Sequence, residues 1–112
     1  MGLIFKLLIN TLAIAISAYI VPGIKLANIW AAVVLVVVLG VLNFLVKPVL
    51  LILTLPINIL TLGLFTLVIN TLIILLASSI VKGFYVNGFW SGFLFAIVLS
   101  IVTSFLYAST DN

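Results

Sequence analysis

The chain has 112 residues, of which 68% are hydrophobic and 4% are charged. A soluble domain is about one quarter charged, and a short soluble chain of this composition would leave large apolar patches in water. The sequence has no cysteine, no histidine and a single acidic residue, Asp111. We therefore expect no enzyme activity, no metal and no cofactor. The net charge of +3 is scattered and does not indicate a nucleic-acid-binding surface. The composition predicts an integral membrane protein.

Four apolar stretches are long enough to cross a membrane as helices, which takes about 20 residues each. Each stretch is continuously apolar, whereas the strands of a membrane barrel alternate polar and apolar residues over about ten positions. Turn or helix-end signals separate the stretches at Pro22-Gly23, Lys47-Pro48 and Lys82-Gly83. The predicted fold is an all-α integral membrane protein with four transmembrane helices, at about 3–21, 29–46, 62–81 and 89–107.

The segment between the second and third helices, residues 48–63, is apolar but contains Pro48 and Pro56 and ends at Gly63. A helix of about 15 residues is roughly 22 Å long, which is short of the roughly 30 Å hydrocarbon core. Pro56 also removes one helical hydrogen bond. We expect a re-entrant or interfacial segment, or a kinked extension of the second helix, rather than a straight crossing. A broken helix that lines a cavity is the functional alternative.

The second half of the sequence repeats the first with an offset of 60 residues and no gap. Apolar residues alone would give some matches, but asparagine, glycine and tryptophan also match, and these are rarer. The sequence therefore predicts one membrane domain, 1–112, with a duplicated helical hairpin at about 3–46 and 63–107 and a connector at about 47–62. The matches are Phe5 with Phe65, Leu7 with Leu67, Ile9 to Leu12 with Ile69 to Leu72, Ile20-Val21 with Ile80-Val81, Gly23 with Gly83, Trp30 with Trp90, and Val38-Leu39 with Val98-Leu99.

The orientation of the two hairpins depends on the connector. If the connector returns to the side it left, the hairpins run parallel, with Lys6 and Lys47 on one side and Lys25 and Lys82 on the other. If it crosses, the repeat is inverted, as in many transporters, and three lysines share a side, as the positive-inside rule prefers. The shortness of the connector favours the parallel arrangement, because a short, proline-containing crossing is costly.

Asparagine and threonine side chains are the polar groups that the predicted helices place in the membrane. Buried amides need hydrogen-bond partners there, and antiparallel packing brings the start of one helix near the end of the next. We expect Asn10 to meet Asn43 or a backbone carbonyl of the second helix or connector. We expect Asn70 to meet Thr103 or the connector near Asn58. These residues either form interhelical hydrogen bonds or line a path for water or ions.

Residues near the predicted helix ends suit the membrane interface. Trp30 and Trp90 indicate an aromatic belt, while Lys47 and Lys82 are expected to extend to the headgroups, where contact with anionic lipid is a further possibility. Small residues within the helices permit close helix packing and, by extension, contacts between copies. These are Ala31, Ala32, Gly40, Ser91, Gly92 and Ala96.

Several motifs resemble a bacterial family. They are the Leu-Thr-Leu-Pro run at 53–56, the run at 60–70 ending in Ile-Asn, Val-Pro-Gly at 21–23, and Gly-Val-Leu-Asn at 40–43 leading into Lys47-Pro48. The sequence resembles the YvlD family, also described as the mycobacterial four-helix phage holin superfamily IV, over essentially its whole length. It departs at Lys82-Gly83, where members often have Pro-Gly. The resemblance implies a four-helix protein of the bacterial inner membrane, and the holin name implies oligomerisation and pore formation.

Three functions are compatible with these features. The first is an oligomer-forming, holin-like inner-membrane protein that affects membrane permeability. The second is an accessory or lipid-organising subunit of a larger envelope complex, and the third is a channel or carrier for a small solute or ion. Membrane lipids and further copies of the chain, or a larger membrane complex, are the expected partners. The absence of an intramembrane acid argues against proton-coupled transport.

Overall fold

The computed structural model describes residues 2–110, without the side chain of Thr110, so Asp111 lies outside the described residues. Most of this region is helical. In chain order the elements are α1 (Gly2–Ile20), β1 (Ile24–Leu26), α2 (Ile29–Leu45), α3 (Lys47–Leu53), α4 (Leu55–Leu60), α5 (Phe65–Ile80), β2 (Phe84–Val86) and α6 (Phe89–Thr110).

The two strands form a small antiparallel ribbon that joins the tips of the two helical hairpins. Lys25 lies opposite Tyr85. The Ala27 N–H donates to the Gly83 carbonyl at 2.7 Å, and the Asn87 N–H donates to the Gly23 carbonyl at 2.8 Å. Because α1 and α5 both lead into this ribbon, the hairpins run parallel, as the length of the connector predicts. We call this the ribbon end of the bundle and the opposite end the connector end.

The lysines divide between these two ends. Lys25 lies in β1 and Lys82 just before β2, at the ribbon end, whereas Lys47 begins α3 at the connector end. Lys6 lies early in α1, also toward the connector end. The inverted arrangement, in which three lysines share a side, is therefore not the one adopted.

The core is a single apolar cluster between α1, α2, α5 and α6. Each of α1 and α5 packs against both α2 and α6. The buried residues of α5 occupy the same positions as those of α1, displaced by 60 residues. They are Ile9, Thr11, Ala13, Ile14 and Ser17 in α1, and Ile69, Thr71, Ile73, Ile74 and Ala77 in α5.

Three helical segments are long and apolar enough to cross a membrane: Gly2–Ile20, Ile29–Leu53 and Phe89–Ser109. The predicted third crossing, 62–81, contains a shorter helix of 16 residues, Phe65–Ile80, which is about 24 Å long. It begins late because Leu62 and Gly63 have positive φ angles of 58° and 87°. Those angles end the preceding helical turn, and the Gly63 N–H donates to the Asn58 carbonyl at 2.7 Å.

The connector consists of two short helices, α3 and α4, separated at Thr54. Pro56 lies in the first turn of α4, where its missing N–H and its clash with the fourth residue before it interrupt the helix. α3 continues the apolar run of α2 as far as Leu53 and packs against α5. The first part of the connector is therefore an extension of the second helix, and its depth in a bilayer stays a prediction.

Gly23 and Gly83 are the positions where the ribbon tolerates no side chain. Their φ angles are +87° and +90°, and a Cβ at Gly23 would overlap Ser91 Oγ. A Cβ at Gly83 would approach the Cβ atoms of Ala27 and Ala31 at 3.1 Å. Both glycines therefore allow the tip of one hairpin to touch the helix start of the other.

We expect Gly23→Ala and Gly83→Ala each to lower the free energy of unfolding by at least about 1–2 kcal/mol, the cost of a left-handed backbone at a non-glycine residue. Thermal unfolding in mild detergent measures this. Gly2→Ala is the matched control, because a Cβ there meets nothing within 4 Å and alanine favours helix. Equal unfolding temperatures for all three variants would contradict the assigned role of the ribbon.

Candidate functional site

A lateral groove of about 850 Å³ runs along the connector half of the bundle, between α1, α2 and α6. Its walls are mainly leucine and valine, and five polar side chains interrupt them. Asn43 and Ser100 are exposed, and Asn10 and Thr103 are half-buried. The polar lining consists of Lys6, Asn10, Asn43, Ser100 and Thr103.

A second, smaller cavity of about 160 Å³ adjoins the groove. It lies where the junction of α2 and α3 meets α5 and α6, and its polar lining is Asn43, Lys47, Asn70 and Ser100. We call it the lysine cavity. Asn43 and Ser100 border both the groove and the lysine cavity. The polar side chains that line these two spaces therefore meet at the connector end, and we call them together the polar patch.

Asn10 faces the bundle and is hydrogen-bonded, but its partners differ from the predicted ones. Its amide nitrogen donates to the Lys6 carbonyl at 2.8 Å and to the Tyr107 hydroxyl at 3.0 Å. The prediction that Asn10 bonds to Asn43, or to a backbone carbonyl of the second helix or connector, is wrong. The reason is that the start of α1 packs against the end of α6, so Tyr107 is the closer polar group. Asn43 borders the same groove without bonding to Asn10.

Asn70 does not have either of its predicted partners. Among the described residues its side chain makes no hydrogen bond, and it borders the lysine cavity beside Lys47. Thr103 lies on the lateral groove instead, and Asn58 is engaged elsewhere, so both expectations for Asn70 are wrong. α3 packs against α5. This packing places Lys47, rather than a threonine, on the cavity that the Asn70 side chain borders.

Asn58 stabilises the connector. Its amide nitrogen donates to Thr54 Oγ1 at 3.2 Å, and its side-chain oxygen accepts from Thr66 Oγ1 at 3.2 Å. These bonds join the break between α3 and α4 to the first turn of α5. Pro56 follows the break at Thr54 and Gly63 ends the turn before α5, whereas Pro48 lies at the start of α3.

The two asparagines correspond under the 60-residue offset, and so do their neighbours. Asn10 bonds to Tyr107. The residue 60 positions before Tyr107 is Lys47, which borders the same cavity as Asn70. The sequence interpretation treated Lys47 only as an interfacial residue and did not connect Tyr107 with Asn10. Their correspondence under the 60-residue offset was the signal that both belong with the asparagines.

The interfacial residues fall at two levels. Trp30 and Trp90 are 73% and 72% exposed in the first turns of α2 and α6, at the ribbon end, together with exposed Lys82. Lys47 is half-buried at the connector end. Of the predicted anchors, Lys47 is thus the one whose side chain lies against other polar groups of the chain.

The centre of the bundle is filled by side chains. Leu35 and Phe95 are both 0% exposed, and Ile14 and Ile74 are 2% and 4% exposed. Small residues lie between them, with Ala32 also at 0%, which lets the helices approach closely. The polar patch therefore lies on the side of the bundle and not along its axis.

The polar patch contains hydrogen-bond donors and positive charge. Within residues 2–110 there is no group of three or more histidine, cysteine, aspartate or glutamate side chains that would hold a metal. The amides, hydroxyls and lysines can bind an anion or a polar solute, or line a hydrated surface.

Long apolar helices, with tryptophan at one end and lysine at both, define a multi-pass integral membrane protein. The chain belongs to the family described as mycobacterial 4 TMS phage holin, superfamily IV, whose model matches residues 1–105. This confirms the resemblance drawn from the sequence motifs and fits a protein of the bacterial inner membrane. It is not a known enzyme family.

Two relatives are similar over most of their length. The chain is 34% identical over 97 residues to the "Uncharacterized membrane protein YvlD" of Bacillus subtilis, covering 86% of this chain and 82% of the relative. It is 36% identical over 108 residues to the "Uncharacterized protein SCO3922" of Streptomyces coelicolor, covering 88% of this chain and 86% of the relative. No solved structure matches.

A double-mutant cycle tests the bond between Asn10 and Tyr107. We expect Asn10→Leu to be tolerated, because interhelical hydrogen bonds in membrane proteins average about 0.6 kcal/mol and leucine suits lipid. Combining Asn10→Leu with Tyr107→Phe should give a coupling energy between about 0.6 and 1.7 kcal/mol, measured by unfolding in mild detergent. Asn10→Leu combined with Tyr85→Phe, at the ribbon end, should be additive. Additivity in both cycles would refute the bond.

Proposed function

We propose that the protein is a non-enzymatic, oligomer-forming protein of the bacterial inner membrane with a holin-like effect on membrane permeability. The observation that carries the proposal is the position of the polar patch. Asn43, Ser100 and Thr103 lie on a groove at the side of an otherwise apolar surface. Polar groups in that position need cover or water within a membrane.

One chain is too small and too well packed to enclose a path. The near-zero exposure of Leu35 and Phe95 leaves the bundle axis closed. A permeation path must therefore form between copies, with the lateral groove of each copy facing the others. Amide and hydroxyl side chains would then line a narrow hydrated space while the leucines and valines face lipid.

Gly40 supports such an assembly. It is exposed on α2, borders the groove and has nothing within 4 Å of its missing side chain. The predicted small residues Ala31, Ala32, Gly92 and Ala96 are instead buried within the chain. Gly40 is therefore the member of that set available to a neighbouring helix, which small residues allow to approach closely.

The same proposal includes four crossings and a duplicated hairpin. The family is described by four transmembrane segments, and α5 with its flanking turns is the remaining candidate for a crossing. The shared buried positions of α1 and α5 and the matching hydrogen bonds Ala27 to Gly83 and Asn87 to Gly23 support duplication. The two connector helices would then lie at or near one interface.

Controlled expression in a bacterium tests the function directly. An assembly that permeabilises the membrane should arrest growth and collapse the membrane potential, reported by a voltage-sensitive dye, and the extracted protein should have the mass of several copies. The accessory-subunit alternative predicts harmless expression and co-purification with other envelope proteins. Flux of solutes from liposomes tests the channel alternative. A harmless, monomeric protein would contradict the proposal.

We expect Gly40→Leu to abolish assembly and permeabilisation while the single chain still folds, because the added side chain occupies the open groove and its Cβ meets nothing within 4 Å. The mass in mild detergent and the membrane potential are the measurements. Val34→Leu is the matched control, since Val34 is 49% exposed on the same helix but does not border the groove. Normal assembly of Gly40→Leu would show that copies do not meet at this face.

A further inference from the structure

Lys47 is a cation that the described chain does not neutralise. The only acidic residue of the sequence is Asp111, so no carboxylate side chain exists within residues 2–110. Lys47 is nevertheless half-buried, and it makes no hydrogen bond or ion pair with the described residues. A half-buried lysine without a counter-charge favours an anion from outside the chain.

The groups around Lys47 add hydrogen-bond donors. Asn43, Asn70 and Ser100 border the same cavity, and their side chains have no hydrogen-bond partner among the described residues. The cavity of about 160 Å³ has the volume of roughly five liquid water molecules, which is room for a phosphate group. One charge and several donors around such a space form a recognition site for a phosphate oxyanion.

The depth of the cavity indicates where that phosphate comes from. α2 has 17 residues between the ribbon end and Lys47, a length of about 25 Å, close to the roughly 30 Å thickness of a hydrocarbon core. Lys47 therefore lies at the level of the lipid headgroups when the ribbon lies at the other interface. Exposed apolar side chains flank Lys47 along α2 and α3, with Phe44 at 78% and Ile52 at 72%, and they suit acyl chains.

We propose that the lysine cavity binds the phosphate of an anionic glycerophospholipid, with Lys47 as counter-ion and the amides of Asn70 and Asn43 as donors. The site lies within one chain and does not depend on assembly through the lateral groove. A lipid held there would anchor the connector end of the bundle to the headgroup layer.

The test uses the full chain in mild detergent, titrated with phosphatidylglycerol, phosphatidylcholine or sodium phosphate, with the unfolding temperature as readout. Phosphatidylglycerol should raise this temperature and the other two should not. Removing one lysine contact with an anionic lipid is worth about 1 kcal/mol, so Lys47→Gln should weaken the apparent affinity about fivefold. Lys47→Arg should retain it.

Lys82→Gln is the matched control, because Lys82 is exposed at the ribbon end and should leave the affinity unchanged. Asn70→Leu provides a second variant if Lys47→Gln does not fold, and it should also weaken binding. Gly40→Leu should still bind the lipid, which separates this site from the assembly. Equal stabilisation by phosphatidylcholine, equal stabilisation by free phosphate, or an equal loss in Lys82→Gln would each overturn the proposal.

Discussion

Two backbone hydrogen bonds organise the bundle: Ala27 to Gly83 and Asn87 to Gly23. They tie the tip of one hairpin to the tip of the other, and the left-handed glycines let the backbones approach closely enough to form them. With the tips fixed, α1 and α5 run in the same direction and the connector must begin and end at the far end. The direction of the hairpins, the positions of the lysines and the location of the polar patch all depend on this small ribbon.

Apolar side chains fill the centre of the bundle, so the polar side chains of the helices lie on its side. Ala32 and Leu35 leave no exposed surface at the axis, and the amides at the connector end border the lateral groove and the lysine cavity instead. In the first half the end of α6 supplies Tyr107 to Asn10. In the second half the connector supplies Lys47 beside Asn70, and the result is a charged cavity in place of a closed hydrogen bond. Positions that correspond under the 60-residue offset thus carry different chemistry.

The membrane class and the helical content followed from the sequence because apolar run length acts locally. The length of the connector favoured parallel hairpins but left the inverted arrangement open. The partners of Asn10 and Asn70 could not be predicted from the sequence. They depend on which helix ends pack together, and one sequence does not determine that packing. The ribbon was also missed: Ile24–Leu26 and Phe84–Val86 are three residues each, too short for a strand pattern, although the repeated glycine before each one marked a turn. The late start of α5 arose from the backbone angles at Leu62 and Gly63, which composition does not reveal.

Lysines divide equally between the two ends of the bundle, Lys6 and Lys47 at one and Lys25 and Lys82 at the other. The insertion machinery orients helices by an excess of positive charge on the cytoplasmic side, and the lysines of this bundle provide no excess. Their distribution therefore favours neither orientation by this rule. In a population of mixed orientation, the tryptophan-bearing ribbon would appear on both faces of the bilayer, and a protease confined to one face would cleave its tip in only a fraction of the copies.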